Sequence, residues 1–67
     1  MEKFSERLKD LRNEKGLTQS QVAKGTGLSH TAIVNWENEK RVPNANAVLI
    51  LAKFFGVTTD YLLGLED

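Results

Sequence analysis

Cysteine is absent from the 67 residues, which excludes a disulfide framework and any thiolate metal site. The lone histidine, His30, has no carboxylate cluster around it, so no metal site is expected. Proline occurs once, at Pro43, and no segment is of low complexity. No apolar run approaches the roughly 18 residues that would suggest a membrane span. The start, Met1-Glu2-Lys3-Phe4-Ser5-Glu6, is amphipathic and unlike a signal peptide. A chain this small without disulfides is expected to be cytoplasmic and held by helix packing. No nucleophile–base pair, metal cluster or phosphate loop is present, so neither catalysis nor a cofactor is expected.

Net charge is also lacking. Nine bases and nine acids cancel, and the isoelectric point near 6.6 misses the basic signature of many nucleic-acid binders. The distribution carries more information than the total. From Leu17 to Trp36 there is no acid, only Lys24 among Thr, Gln, Ser, His and Asn. From Val57 onward Asp60, Glu66 and Asp67 stand without a base; the remainder holds nine bases against six acids. The molecule is dipolar, with an acid-poor side and an acidic end.

What is present is helical periodicity in a single domain, residues 1–67. Phe4, Leu8 and Leu11 form one stripe over Lys3 to Glu14. Glu2, Glu6, Asp10 and Glu14 recur every four residues among Lys3, Arg7, Lys9 and Arg12, the pattern of a solvated face with weak ion pairs. Gly16 supplies a left-handed stop. Thr18 caps a short second helix with Val22 and Ala23 inward. Gly25 inside it costs roughly 1 kcal/mol relative to alanine. Gly27 fits a turn and Leu28 is expected as a buried plug there. Ser29 caps a third helix from His30 to Asn38, with Ile33 and Trp36 inward and His30, Thr31, Val34 and Asn35 outward. Pro43 ends regularity before it. Asn44 caps a fourth helix, Ala45 to Phe55, with Val48, Leu51, Ala52 and Phe55 as core. Gly56 stops it, Thr58 caps a last turn, and Tyr61 with Leu62 closes the core. Five helices and no strand pattern give an all-α fold.

Two short helices across a tight turn make a helix-turn-helix, here residues 19–38. Its demands are met: Ala23 where the helices cross, Gly27 in the turn, and Val22, Leu28, Ile33 and Trp36 as anchors. The stretches Leu17-Thr18-Gln19-Ser20-Gln21-Val22-Ala23, Gly27-Leu28-Ser29 and Ile33-Val34-Asn35-Trp36-Glu37 resemble the Cro/C1-type (Xre) family of phage and bacterial repressors. So do Pro43 and the run from Leu51 through Gly56 and Thr58 to Asp60-Tyr61-Leu62-Leu63, and the resemblance spans about Phe4 to Gly64.

That resemblance implies a five-helix lambda-repressor-like bundle, a DNA-binding transcriptional regulator of the repressor kind, in a bacterial cell. It places the third helix in the major groove and makes His30, Thr31, Val34 and Asn35 the base readers. Asn35 is chemically the richest, because its amide pairs bidentately with adenine; the alternative is an exposed residue with no partner. His30 could equally be an ordinary polar residue at a helix start. Phosphate contacts are expected from Gln19, Ser29, Asn38, Lys40, Arg41 and Asn44, with an ordinary basic loop as the other reading of Lys40 and Arg41. Arg12 and Glu37 take the place of a structural ion pair, either buried or a loose surface contact. The implied partner is a pseudo-palindromic double-stranded operator bound by a homodimer, with no small-molecule ligand in the domain.

The chain departs from the family in three places. Asn35 stands where relatives carry arginine or lysine, and Glu39 where they carry glycine. Ile50 and Phe54 form an apolar pair on the flank of the fourth helix, either packing against Leu65 and the tail or serving self-association. Two other functions share the fold. An antitoxin would bind a protein as well as DNA, and a protein-interaction module would suit the neutral charge.

Overall fold

The computed structural model describes residues 1–67 and contains α1 (Glu2–Glu14), α2 (Gln19–Thr26), α3 (His30–Glu37), α4 (Ala45–Phe55) and α5 (Thr59–Leu63), with no strand. The chain specifies most helix starts through side-chain caps. The hydroxyls of Thr18, Ser29 and Thr58 and the amide oxygen of Asn44 each accept a backbone N–H of the first turn. Thr18 also closes a capping box, donating its own N–H to Gln21 Oε1 at 2.8 Å, so two groups are satisfied reciprocally. Each such cap is worth about 1 kcal/mol.

The helix ends follow a second rule. α1, α3, α4 and α5 each close with a pair of reversed hydrogen bonds around a left-handed residue, the Schellman arrangement. For α3 these are Lys40 N–H to Asn35 O at 2.8 Å and Glu39 N–H to Trp36 O at 3.2 Å. Three of the four ends place glycine at the left-handed position; α3 places Glu39 there, at φ 61°, the only non-glycine residue with positive φ.

α2 packs on α3 and α4, while α1 packs on α3 and α5. Phe4, Leu8, Val22, Ile33, Leu51 and Leu62 are wholly enclosed between them. The apolar stripes read from periodicity all point inward, and Ala47 joins them. Leu28 differs from expectation. It is half-buried and packs against the core's edge, because the turn it follows is exposed at Gly27.

Gly25 has a structural reason for its helix-breaking cost. The ring of Phe54 lies across it, and an ideal Cβ would stand 2.7 Å from the ring. The missing side chain therefore lets α4 approach α2. At the other end, Arg7 Nη1 donates to Tyr61 O at 2.6 Å, and its guanidinium lies 4.2 Å above the Tyr61 ring. Together these contacts hold α5 against α1. No helix is long and apolar enough to cross a membrane.

Candidate nucleic-acid interface

α3 is built with two faces. Ile33 and Trp36 enter the core, and helical spacing then turns His30, Thr31, Val34 and Asn35 away from it. His30 and Thr31 are exposed; Val34 and Asn35 are half-buried. No internal hydrogen bond engages the side chains of His30, Thr31 or Asn35, so their donors and acceptors are available to a ligand. Ser29 caps α3 by accepting from Ala32 N–H at 3.0 Å, which leaves its hydroxyl proton free. Asn44 caps α4 through Oδ1, at 2.8 Å from Ala47 N, which leaves its amide NH2 free. Each cap can thus hold its helix and donate outward at once.

The exit of α3 carries Asn38, Glu39, Lys40 and Arg41, all exposed. Arg41 closes a cleft of about 260 Å³ whose other lining residues are Ser29, Thr31, Ala32 and Asn35. The loop therefore folds back along α3. Sequence reading placed Arg41 at the flank and did not place it beside Thr31 and Asn35.

Arg12 and Glu37 meet as a fork. Arg12 Nε donates to Glu37 Oε2 at 2.7 Å and Nη2 to Oε1 at 2.9 Å. The Glu37 side chain is 2% exposed and that of Arg12 16%, so this is the buried alternative. The Arg12 pKa is raised, first by the hydrogen bond to Glu37; desolvation opposes this and the carboxylate's charge reinforces it. Arg12 Nη1 also donates to Leu17 O at 2.9 Å, tying down the loop before α2. Gln19, expected only at a phosphate, donates Nε2 to Glu37 Oε1 at 3.1 Å. The carboxylate at the end of α3 thus orients the first residue of α2. No periodicity announces that contact, because the two residues meet only once the helices cross.

The left-handed Glu39 yields a first expectation. A residue with a Cβ at such a position costs roughly 1–2 kcal/mol, whereas glycine gives back part of that through the unfolded chain's entropy, about 0.4–1 kcal/mol. Glu39→Gly is expected to stabilise the domain by under about 1 kcal/mol, raising its melting temperature by several degrees at roughly 4–8 °C per kcal/mol. A melting temperature unchanged or lowered in thermal denaturation would contradict this.

Ile50 is 37% exposed, while Phe54 is half-buried against Gly25. The exposed apolar surface is greater elsewhere. Val42 and Leu49, 69% and 53% exposed, border a groove of about 470 Å³ with Met1, Pro43, Val48 and Leu63. The sequence signal for this was Leu49, an apolar residue outside the core stripe of α4.

Residues 8–62 match the Helix-turn-helix family. The chain is 45% identical over 64 residues to the HTH-type transcriptional activator BcrR of Enterococcus faecalis, covering 96% of this chain and 31% of that protein. It is 34% identical over 60 residues to repressor protein C2 of Salmonella phage P22, covering 90% of this chain and 28% of the repressor. The chain therefore spans about a third of the length of these two curated relatives. Among solved structures, the restriction-modification controller protein C.AhdI from Aeromonas hydrophila is similar with a TM-score of 0.83 at 32% identity, covering 90% of this chain and 91% of that one. The P22 c2 repressor in complex with a synthetic operator gives 0.83 and 32%, covering 88% and 89%. With its five helices, its capped α2–turn–α3 unit and this match over most of its length, the chain belongs to the Cro/C1-type helix-turn-helix family.

Proposed function

We propose that this chain binds double-stranded DNA sequence-specifically as a transcriptional regulator of the repressor kind, without catalysis. The observation that carries this reading is the outer face of α3. It presents His30, Thr31, Val34 and Asn35, with no polar side chain used internally, in a stretch free of acids from Leu17 to Trp36. An α-helix about 10–12 Å across fits a major groove about 12 Å wide. With α3 seated there, the free N–H groups at the start of α2 favour a phosphate. Gln19 keeps one amide N–H and Oε1 beyond its bond to Glu37, and Ser29, Asn38, Lys40, Arg41 and Asn44 flank the groove. The structural similarity to a repressor bound to an operator supports the same docking.

Few full charges reach this face, so salt dependence should be shallow, at about 0.9 log units per neutralised phosphate. Mobility shift on random duplex DNA tests the reading: retardation at low salt is expected, and its absence there would sink it. Site selection from a random pool should return an adenine opposite Asn35, and Asn35→Ala should relax that position by roughly 1–3 kcal/mol. Uniform loss at every position would make Asn35 a backbone contact.

So few charges per domain favour two copies on two half-sites. The second copy is assigned to the groove at Val42 and Leu49, which begins directly after the DNA-facing Lys40 and Arg41; Phe54 already packs on Gly25. Sedimentation of the DNA complex should lose one protomer with Leu49→Asp and keep it with Ile50→Asp. The reverse result would return the pairing surface to Ile50 and Phe54.

A further inference from the structure

We propose that Arg41 is a specificity-determining residue that reads the edge of a guanine, in a position next to the adenine read by Asn35. The inference rests on the DNA-binding reading above and goes beyond it in assigning a base to a loop residue. Three observations carry it. The first is placement: Arg41 lines the same cleft as Thr31 and Asn35, together with Ser29 and Ala32. Thr31 and Asn35 are one turn apart and stacked on the same side of α3, so a base edge at Asn35 lies beside the cleft that Arg41 also lines.

The second is availability. The chain has three arginines. Arg7 is spent on Tyr61 and the acidic tail, and Arg12 on Glu37 and Leu17. Arg41 makes no ion pair and no hydrogen bond and is exposed. Its planar fork of five donors is the only unengaged guanidinium in the molecule.

The third is the electrostatic surrounding. No acid lines the cleft. Glu37, at the end of the same helix, is buried under Arg12 and Gln19 and cannot compete for the fork. What remains is a positive planar donor and an amide lining one cleft with no acid between them. Guanine is the base that presents two acceptors, O6 and N7, to such a fork. Asn35 beside it offers a donor and an acceptor, the complement of adenine N6 and N7. An adenine and a guanine close together on the half-site follow from the pair.

Site selection from a random duplex pool, run on wild type, Arg41→Ala and Arg41→Lys, decides the matter. Wild type should show a guanine within two positions of the adenine that depends on Asn35. Arg41→Ala should flatten the guanine column, with about 5- to 150-fold lost discrimination there, and leave the adenine column intact. Arg41→Lys should recover part of the guanine preference, since lysine also reaches O6 and N7 but without the planar fork. Matched circular dichroism spectra and melting curves check that the exposed loop change leaves the fold unchanged. The inference is overturned if Arg41→Ala weakens all sequences equally while the salt slope falls by about 0.9, the mark of a phosphate contact. Failure of wild type to bind any duplex at low salt would remove the DNA reading itself and this assignment with it, a result distinct from the previous one.

Discussion

Arg12→Ala is expected to lower stability by about 3–5 kcal/mol, because it strands a buried carboxylate without its counter-ion. Glu37 loses two of its three hydrogen bonds in that variant and keeps only Gln19. Leu17 O loses its donor as well. At roughly 0.05–0.15 kcal/mol per residue, a domain of this length has a total stability of about 3–10 kcal/mol, so the loss takes a large share of it. At about 4–8 °C per kcal/mol the melting temperature should therefore fall by tens of degrees, and the variant should be largely unfolded at the growth temperature of a mesophile.

Replacing both partners separates a buried pair from a surface one. Arg12→Met with Glu37→Leu leaves no uncompensated charge, and such apolar substitutions are often neutral or stabilising. The double variant should melt well above Arg12→Ala in thermal denaturation. A fall under about 4 °C for Arg12→Ala, equivalent to roughly 1 kcal/mol or less, would be the behaviour of an exposed pair. The pH dependence has a definite sign. The folded-state pKa of Arg12 is raised, so its contribution is complete at every pH below the unfolded value and is lost only as pH rises through the folded one. The gap between wild type and Arg12→Met/Glu37→Leu contributed by Arg12 titration should stay flat across the neutral range.

Local signals were enough for the helices. Thr18, Ser29, Asn44 and Thr58 mark starts in the sequence because a side-chain oxygen beside a periodic run has one good use. Gly16, Gly27 and Gly56 mark stops for the complementary reason. The site was legible only in part. Outward positions on α3 follow from the inward ones, so His30, Thr31, Val34 and Asn35 could be named from spacing together with the family resemblance. The hydrogen bond from Gln19 to Glu37 could not, since it depends on the crossing of α2 and α3. The return of Arg41 toward Thr31 depends on the loop after Glu39, whose left-handed backbone no periodicity encodes. Leu28 was assigned too much burial because its apolar character says nothing of how far a turn lies from the centre.

Trp36→Ala is the second large effect, expected at about 3–5 kcal/mol, and it joins fold to function. Trp36 is 6% exposed and meets Phe4 edge-to-face, ring centroids 6.2 Å apart at 76°. Such a pair adds about 0.5–1.5 kcal/mol beyond area burial. Its carbonyl accepts the hydroxyl of the buried Ser5, so α1 grips α3 at both the side chain and the backbone of one residue. That grip sets the rotation of α3 about its axis, and hence the direction in which Asn35, one residue earlier, projects. Trp36→Phe keeps a ring against Phe4 and should cost much less than Trp36→Ala in chemical denaturation. Because a duplex that binds only the folded state stabilises by about 2.7 kcal/mol at one hundred times its dissociation constant, selected DNA should raise the melting temperature of Trp36→Ala by roughly 10–20 °C. Random DNA at the same concentration should raise it less. If Trp36→Ala instead kept wild-type stability and base preference, the Phe4 and Ser5 contacts of Trp36 would not be what sets the rotation of α3. The fork from Arg12 to Glu37 would then be the main link between α1 and α3.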